Sequence, residues 1–152
     1  MPSFWAQSAR RSTSARAMEI DHIGVLCKDL AKSVRHYESL GFVVSKDRVT
    51  DTVRNLDYVF MTNHQYTFEL LAKSRESEPS DVDALLNAAW LPGNKLYHVC
   101  FLSNDLEKDI EKHKGLGYKL IRPPERAVAC ENRRVAFMLH HSFGLIEFLE
   151  RK

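Results

Sequence analysis

Two histidines and two glutamates stand where polar side chains are unexpected. His22 and His98 lie inside the β-rich runs IDHIGVL and LYHVCFL, and Glu69 and Glu147 inside the apolar runs TFELL and LIEFL. An ionised carboxylate among such neighbours is costly unless it is paired, protonated or bound to a cation. Two imidazoles with two carboxylates suit one divalent ion of the Zn, Ni, Co, Mn or Fe type. Four protein ligands on a six-coordinate ion leave an open edge for water or substrate oxygens, which a Lewis acid needs in order to polarise a carbonyl.

Taken singly, none of the four is decisive. A lone strand histidine is more often a hydrogen-bonded core residue, and a lone strand glutamate usually faces water at an edge. What joins them is an internal repeat. Residues 20–42 align without a gap on 96–118, with 7 of 23 positions identical, among them His22/His98, Asp29/Asp105 and Gly41/Gly117. Phe60-Met61 then matches Phe137-Met138, and Phe68-Glu69-Leu70 matches Ile146-Glu147-Phe148. All four candidate ligands thus fall in register across a duplication.

The elements that must position them read alike in both halves. Runs at 19–26 and 96–102 are short and β-rich. Asp29 and Asp105 stand where a helix N-cap belongs. Leu30, Val34, Tyr37 and Leu40 recur at helical spacing, as do Leu106, Ile110 and Leu116. Gly41 and Gly117 follow the last apolar position, where a left-handed cap favours glycine. Three more strands follow in each half, at 42–48, 55–62 and 66–71, then at 118–123, 133–139 and 144–149, with polar turns between them. The order is β-α-β-β-β, twice, an α+β arrangement of one module over 18–72 and another over 96–152. A linker at 73–95 carries a short helix over 81–90, ended by Pro92-Gly93.

Other polar residues are weaker candidates. His36 and His113 read as helix-surface residues, and His64 and His141 as solvated turn residues. Cys100 shares a strand face with His98 and reads first as core. Arg133 and Arg134 are candidates for meeting an anionic substrate group.

Composition narrows the function classes. The chain has 152 residues, 44% hydrophobic and 28% charged, with a net charge of +2. Its basic residues are scattered among acidic ones, so nucleic acid is not an expected partner. No apolar run approaches the ~18–20 residues of a membrane-spanning helix. Cys27, Cys100 and Cys130 are too few and too widely spaced for a disulfide framework or a thiolate zinc site. Residues 1–17, MPSFWAQSARRSTSARA, carry three arginines, four serines and no acid. That is the composition of a mitochondrial transit peptide, or of a non-native leader ahead of Met18. The expected location is accordingly the mitochondrial matrix or the cytoplasm.

The paired modules with DHIGV, FELL, YHVCF and LIEFLE resemble the vicinal oxygen chelate superfamily over about 18–151. That family includes glyoxalase I, methylmalonyl-CoA epimerase, extradiol dioxygenases and drug-resistance binding proteins. The resemblance implies a glyoxalase/bleomycin resistance fold, in which the two modules form a curved mixed sheet cup. It implies one divalent metal ion inside the cup, held by His22, Glu69, His98 and Glu147, and a homodimer. The His/Glu/His/Glu set is that of glyoxalase I, whereas methylmalonyl-CoA epimerases carry Gln where this chain has Glu69. The second half, with KLYHVCFLSNDLEKDIEKHKGLGYKLI and NRRVAFML, is closer to the epimerase branch. The epimerase turn of the His-Pro-Lys-Ser type is replaced by Leu139-His140-His141-Ser142. Its second catalytic carboxylate has only Asp51 as a loose counterpart, and the Asp-Pro-Asp-Gly turn of glyoxalase I is missing.

Shared by both branches is proton transfer next to a carbonyl, on a small-molecule thioester or hemithioacetal. The resemblance makes Glu147 the base, with Glu69 opposite it. Two alternatives stay open. Two histidines and one carboxylate also form the Fe(II) triad of an extradiol-type dioxygenase, although a fourth protein ligand would occupy a position that O₂ or substrate needs. A non-catalytic small-molecule binding protein of the same fold is the other.

Overall fold

The computed structural model describes residues 17–87 and 93–152. The first β-α-β-β-β run is β1 (Ile20–Leu26), α1 (Leu30–Ser39), β2 (Val43–Asp51), β3 (Leu56–Asn63) and β4 (Tyr66–Lys73). After the one-turn α2 (Asp83–Leu86) comes the second: β5 (Lys95–Ser103), α3 (Leu106–Lys114), β6 (Lys119–Ala127), β7 (Arg133–His140) and β8 (Gly144–Glu150). All eight strands form one mixed sheet in the order β2-β3-β4-β1-β5-β8-β7-β6. This order is a palindrome of the repeat. β1 and β5 pair antiparallel at the centre, and each pairs parallel with the last strand of its own run.

Alternation along the strands sorts the side chains into two faces. One face of β3 and β4 sends Val59, Met61, Leu70 and Ala72 under α1, where Val34, Tyr37 and Phe42 pack on them. Ala136, Met138, Ile146 and Phe148 do the same under α3, with Leu106 and Ile110. The opposite face curls into a cup. It holds Leu56, Tyr58, Phe60 and Leu71 from the first run and Cys100, Val135 and Leu149 from the second. A single 3-10 turn, Val128–Cys130, crosses this cup, and Lys46 of β2 donates a hydrogen bond to the Ala129 carbonyl.

The helix signals hold in both runs. The Asp29 carboxylate accepts the Lys32 amide at 2.9 Å, and the Asp105 carboxylate the Lys108 amide at 3.0 Å. Gly41 and Gly117 have φ of +86° and +91°, a region that L side chains enter at a cost. Leu40 and Leu116 depart from expectation. Both follow the last helical residue, at the point where the chain reverses, and they are 69% and 60% exposed. His113 is half-buried and rests 4.8 Å from the Phe148 ring, one turn after Ile110, which packs in the same cluster as that ring.

The edge strands β2 and β6 run past their expected ends. Segments such as KDRVTD and RPPERA lack apolar alternation, and only pairing with β3 and β7 extends them. Pro123 and Pro124 fit β6 because it is an edge strand with a register shift between Arg122 and Glu125. Among the described residues the linker helix covers Asp83–Leu86 of the expected span 81–90, and residues 88–90 of that span lie outside them. Trp90 and Pro92, which were to close it, lie outside the described residues, as do residues 1–16 of the proposed leader. Among the described residues no helix is long and apolar enough to cross a membrane.

Candidate metal centre

Antiparallel pairing of β1 with β5 places His22 opposite Cys100 and His98 opposite Gly24. Parallel pairing then brings the last strands alongside, with Glu69 level with Gly24 and Glu147 level with Cys100. Four residues spread over 126 positions of sequence therefore meet on the inner wall of the cup. They are almost fully buried, at 1% exposure for His22 and 3% for Glu69, His98 and Glu147.

The donor atoms converge. The His22 and His98 Nε2 atoms are 3.3 Å apart. Glu69 Oε2 lies 3.6 Å from the first and 3.4 Å from the second. Glu147 Oε2 lies 3.2 Å and 3.1 Å from the same two atoms. Adjacent ligands of an ion at about 2.1 Å stand roughly 3.0–3.4 Å from one another; all but the 3.6 Å His22–Glu69 separation fall in that range, and His22, Glu69 and His98 form the compact candidate group, with Glu147 beside both imidazoles. Cation-binding geometry is also what the orphaned atoms ask for. Glu147 Oε2 is buried without a well-formed hydrogen bond, and the His22 Nδ1 side is already engaged with Asp21. The set is chemically fit for the mid-row divalent ion expected from its residue types.

Repeated neighbours hold the ligands in place. Phe60 stands opposite Glu69 on β3 and meets the His22 ring edge-on at 5.4 Å; Phe137 stands opposite Glu147 on β7 and meets His98 the same way at 5.5 Å. The supports on the far ring nitrogens differ. Asp21 accepts the His22 Nδ1 hydrogen at 2.7 Å, an outer-shell carboxylate that fixes tautomer and ring orientation. His98 Nδ1 has no partner among the described residues, and its ring is held by packing on Gly24 and Tyr97.

Electrostatics follow from crowding charge in a dry place. Burial would lower the His22 pKa, but the charge of Glu69, the bond to Asp21 and the closeness of Glu147 outweigh it and push it up to about 10. Burial drives the Glu69 carboxyl up, only partly countered by the two histidines. Burial also pushes Glu147 upward, yet the closer approach of His22 and His98 reverses this and leaves it well below the usual carboxylate range. The hydrogen bond from His22 holds Asp21 low.

A cavity of about 70 Å³ opens onto Glu69, His98 and Glu147. Its walls include Leu56, Tyr58, Leu71, Tyr97, Val135 and Phe137, and its outer end carries Arg54 and Arg122. Both cations are engaged: Arg54 with Asp51 and Glu125, Arg122 with Asp81. Asp51 is no free base. Its carboxylate caps the turn after β2 by accepting the Val53 and Arg54 amides, each at 3.0 Å, and binds the Arg54 guanidinium.

Two of the sequence candidates for anion binding fall elsewhere. Arg134 alternates to the outer face, where it pairs with Glu150 and Glu107. Arg133 faces inward but lines a separate polar cleft with Asp21 and Lys46, and bonds the Cys130 and Glu150 carbonyls. His64 and His141 are exposed turn residues, as expected. Gly24, Asp21 and Tyr58 are the site residues that motif reading passes over. Asp21 was open to view, directly before His22, but Gly24 needed the strand pairing.

Comparison with known proteins places these features. Residues 21–137 match the glyoxalase/bleomycin resistance protein/dioxygenase superfamily. The uncharacterized protein YwbC of Bacillus subtilis (strain 168) is 24% identical over 139 residues, covering 89% of this chain and 99% of that one. The crystal structure of methylmalonyl-CoA epimerase from Mycobacterium tuberculosis superimposes with a TM-score of 0.73 at 20% identity, over 93% of this chain and 95% of that one. A Streptomyces coelicolor methylmalonyl-CoA epimerase in complex with 2-nitronate-propionyl-CoA gives 0.70 at 23% identity, over 89% and 98%. At such identities the two structures speak for a shared fold. The family match spans most of the chain and the sheet is an eight-stranded cup: the chain belongs to the glyoxalase/bleomycin resistance protein/dioxygenase superfamily.

Proposed function

We propose that the chain is a divalent-metal-dependent isomerase or lyase that moves a proton next to a carbonyl, on a small thioester or hemithioacetal. The observation that carries this reading is the convergence of two buried carboxylates on two buried imidazoles, at 3.1–3.6 Å from carboxylate to imidazole, on one wall of a cavity. His22, Glu69, His98 and Glu147 would hold the ion. Bound there, a divalent ion supplies Lewis-acid polarisation of the substrate carbonyl, which acidifies the adjacent C–H. Glu147 takes that proton and returns it, and Glu69, across the cluster, serves the opposite side. The apolar walls exclude water, which lengthens the life of the deprotonated substrate. Structural likeness to methylmalonyl-CoA epimerases supports an acyl-CoA as one substrate to try.

The test uses the full chain. Bound metals are quantified, and exchange of the proton next to the carbonyl is followed in deuterated water. The substrates are methylmalonyl-CoA and the glutathione–methylglyoxal hemithioacetal. About one ion per chain, with exchange on either substrate that Glu147→Gln abolishes, is the expected result. Failure to take up metal after reconstitution sinks the reading. The Fe(II) dioxygenase alternative is disfavoured by Glu69, a second carboxylate 3.6 Å and 3.4 Å from the two imidazoles, where O₂ or substrate would have to bind. Metal-dependent O₂ consumption on a catechol would reinstate it.

A further inference from the structure

The pseudo-two-fold between β1 and β5 gives each wall residue a counterpart, and two of these pairs do not match in kind. On β3, Tyr58 takes the place that Val135 holds on β7, each two residues before the phenylalanine that faces a site glutamate. Tyr97 precedes His98 where Asp21 precedes His22. The polar group that Asp21 spends on its histidine is therefore turned, on the other side, into phenols lining the cavity.

Tyr58 is the better placed of the two. It stands opposite Leu71, one same-face step from the Phe60–Glu69 pair, and such a step is about 7 Å. Its residue is only 8% exposed. A tyrosine on a cavity wall presents an apolar ring and a polar hydroxyl, and Tyr58 lines the same cavity as Glu69, His98 and Glu147. Burial and the charges of Glu69, Asp51 and Glu147, opposed by Arg54, raise its pKa, so the hydroxyl keeps a hydrogen to donate. Since Arg54 and Arg122 are already tied to acids, neither competes as the nearest donor.

We infer that Tyr58 is a specificity-determining residue, whose hydroxyl donates to a second substrate oxygen several bonds beyond the carbonyl that faces Glu69, His98 and Glu147. The site thus takes carbonyl compounds that carry a further oxygen function in preference to those ending in alkyl. This inference rests on the proposed function for which end of the substrate meets the metal ligands.

The experiment compares two probes with the same 2-oxo acid end, 2-oxoglutarate and 2-oxovalerate, which differ only in a terminal carboxylate against a methyl. Each is titrated calorimetrically into the metal-loaded full chain and into metal-loaded Tyr58→Phe, with metal content and melting temperature measured alongside. The wild type should prefer 2-oxoglutarate. Tyr58→Phe should weaken that probe about tenfold or more, the loss expected for a hydrogen bond to a charged acceptor. Binding of 2-oxovalerate should stay within about twofold, with metal content unchanged. Equal weakening of both probes, an unchanged affinity for 2-oxoglutarate, or no binding of either by the loaded wild type overturns the inference. The proton-transfer reading fails separately, by absence of deuterium exchange, which these titrations do not measure.

Discussion

The imidazole of His98 rests against the bare α-carbon of Gly24. A Cβ at that position would stand 2.3 Å from His98 Cε1 and 2.5 Å from Nδ1. The equivalent place beside His22 belongs to Cys100, whose side chain is accommodated. One ligand of the pseudo-symmetric pair is therefore braced by a carboxylate and the other by an absence.

Gly24→Ala should push the His98 ring aside without breaking the sheet. Overpacking of this kind costs about 1–3 kcal/mol, and metal affinity should drop tenfold or more. Equilibrium dialysis against a competing chelator measures it. Wild-type affinity in the variant would mean that the ring has room to retreat.

Asp21→Ala should weaken metal binding about 10–100-fold, the usual effect of removing an outer-shell carboxylate from a ligating histidine. Asp21 is part-exposed, so the fold should survive. In the metal-free variant the His22 pKa should also fall, because its bond to Asp21 is one of the contributions raising it. Proton NMR of the imidazole reads that shift directly.

Stability of the metal-free chain should decline with alkaline pH. His22 is raised from 6.5 to about 10 in the fold, so the folded state holds a proton that the unfolded state releases. Its contribution is full below about pH 6.5 and is lost progressively up to about pH 10, by at most about 1.4 kcal/mol per pH unit. Metal must displace that proton, so metal affinity should climb over the same window. Urea melts and metal titrations at pH 7 and 9 check both slopes; parallel rather than opposed trends would refute the linkage.

Glu147→Gln should cut deuterium exchange by about a hundredfold or more, in the range for loss of a general base. Glu69→Gln should retain more activity, because it removes the carboxylate opposite the base. Equal losses would assign the proton to both carboxylates. A larger loss in Glu69→Gln would exchange their roles.

Arg54→Met should destabilise the protein by about 3 kcal/mol, since it strands Asp51 in the interior. Arg54 also reaches Glu125 on β6, so the loss should loosen the contact between the first run and the second. Thermal melts measure the first effect, and amide exchange along β6 the second.

How much of this could be read without coordinates depends on how local each cause is. Asp29 and Asp105 cap helices, and Gly41 and Gly117 end them, through forces acting within a few residues. The four buried candidate ligands were legible for a different reason. A duplication writes each constraint twice, so polar residues repeated inside apolar strands betray a shared demand. Even Asp21, adjacent to His22, was visible once its neighbour mattered.

What the sequence by itself determined was therefore the order of elements, their caps and which polar residues are candidates to meet. Only tertiary structure decided what depends on which strands lie side by side. The pairing of β1 with β5 set Gly24 under His98, and neither residue carries a local sign of it. Alternation at the start of β7 sent Arg134 outward and Arg133 into another cleft. Asp51 became a turn cap and an ion-pair partner because Arg54 folds back onto it and spans to Glu125. Tyr58 lines the cavity where its counterpart across the axis is Val135, a difference that only the sheet pairing gives a place in the site. Contacts between residues far apart in the chain have energies that no short window of sequence contains, and the site's asymmetry is made of them.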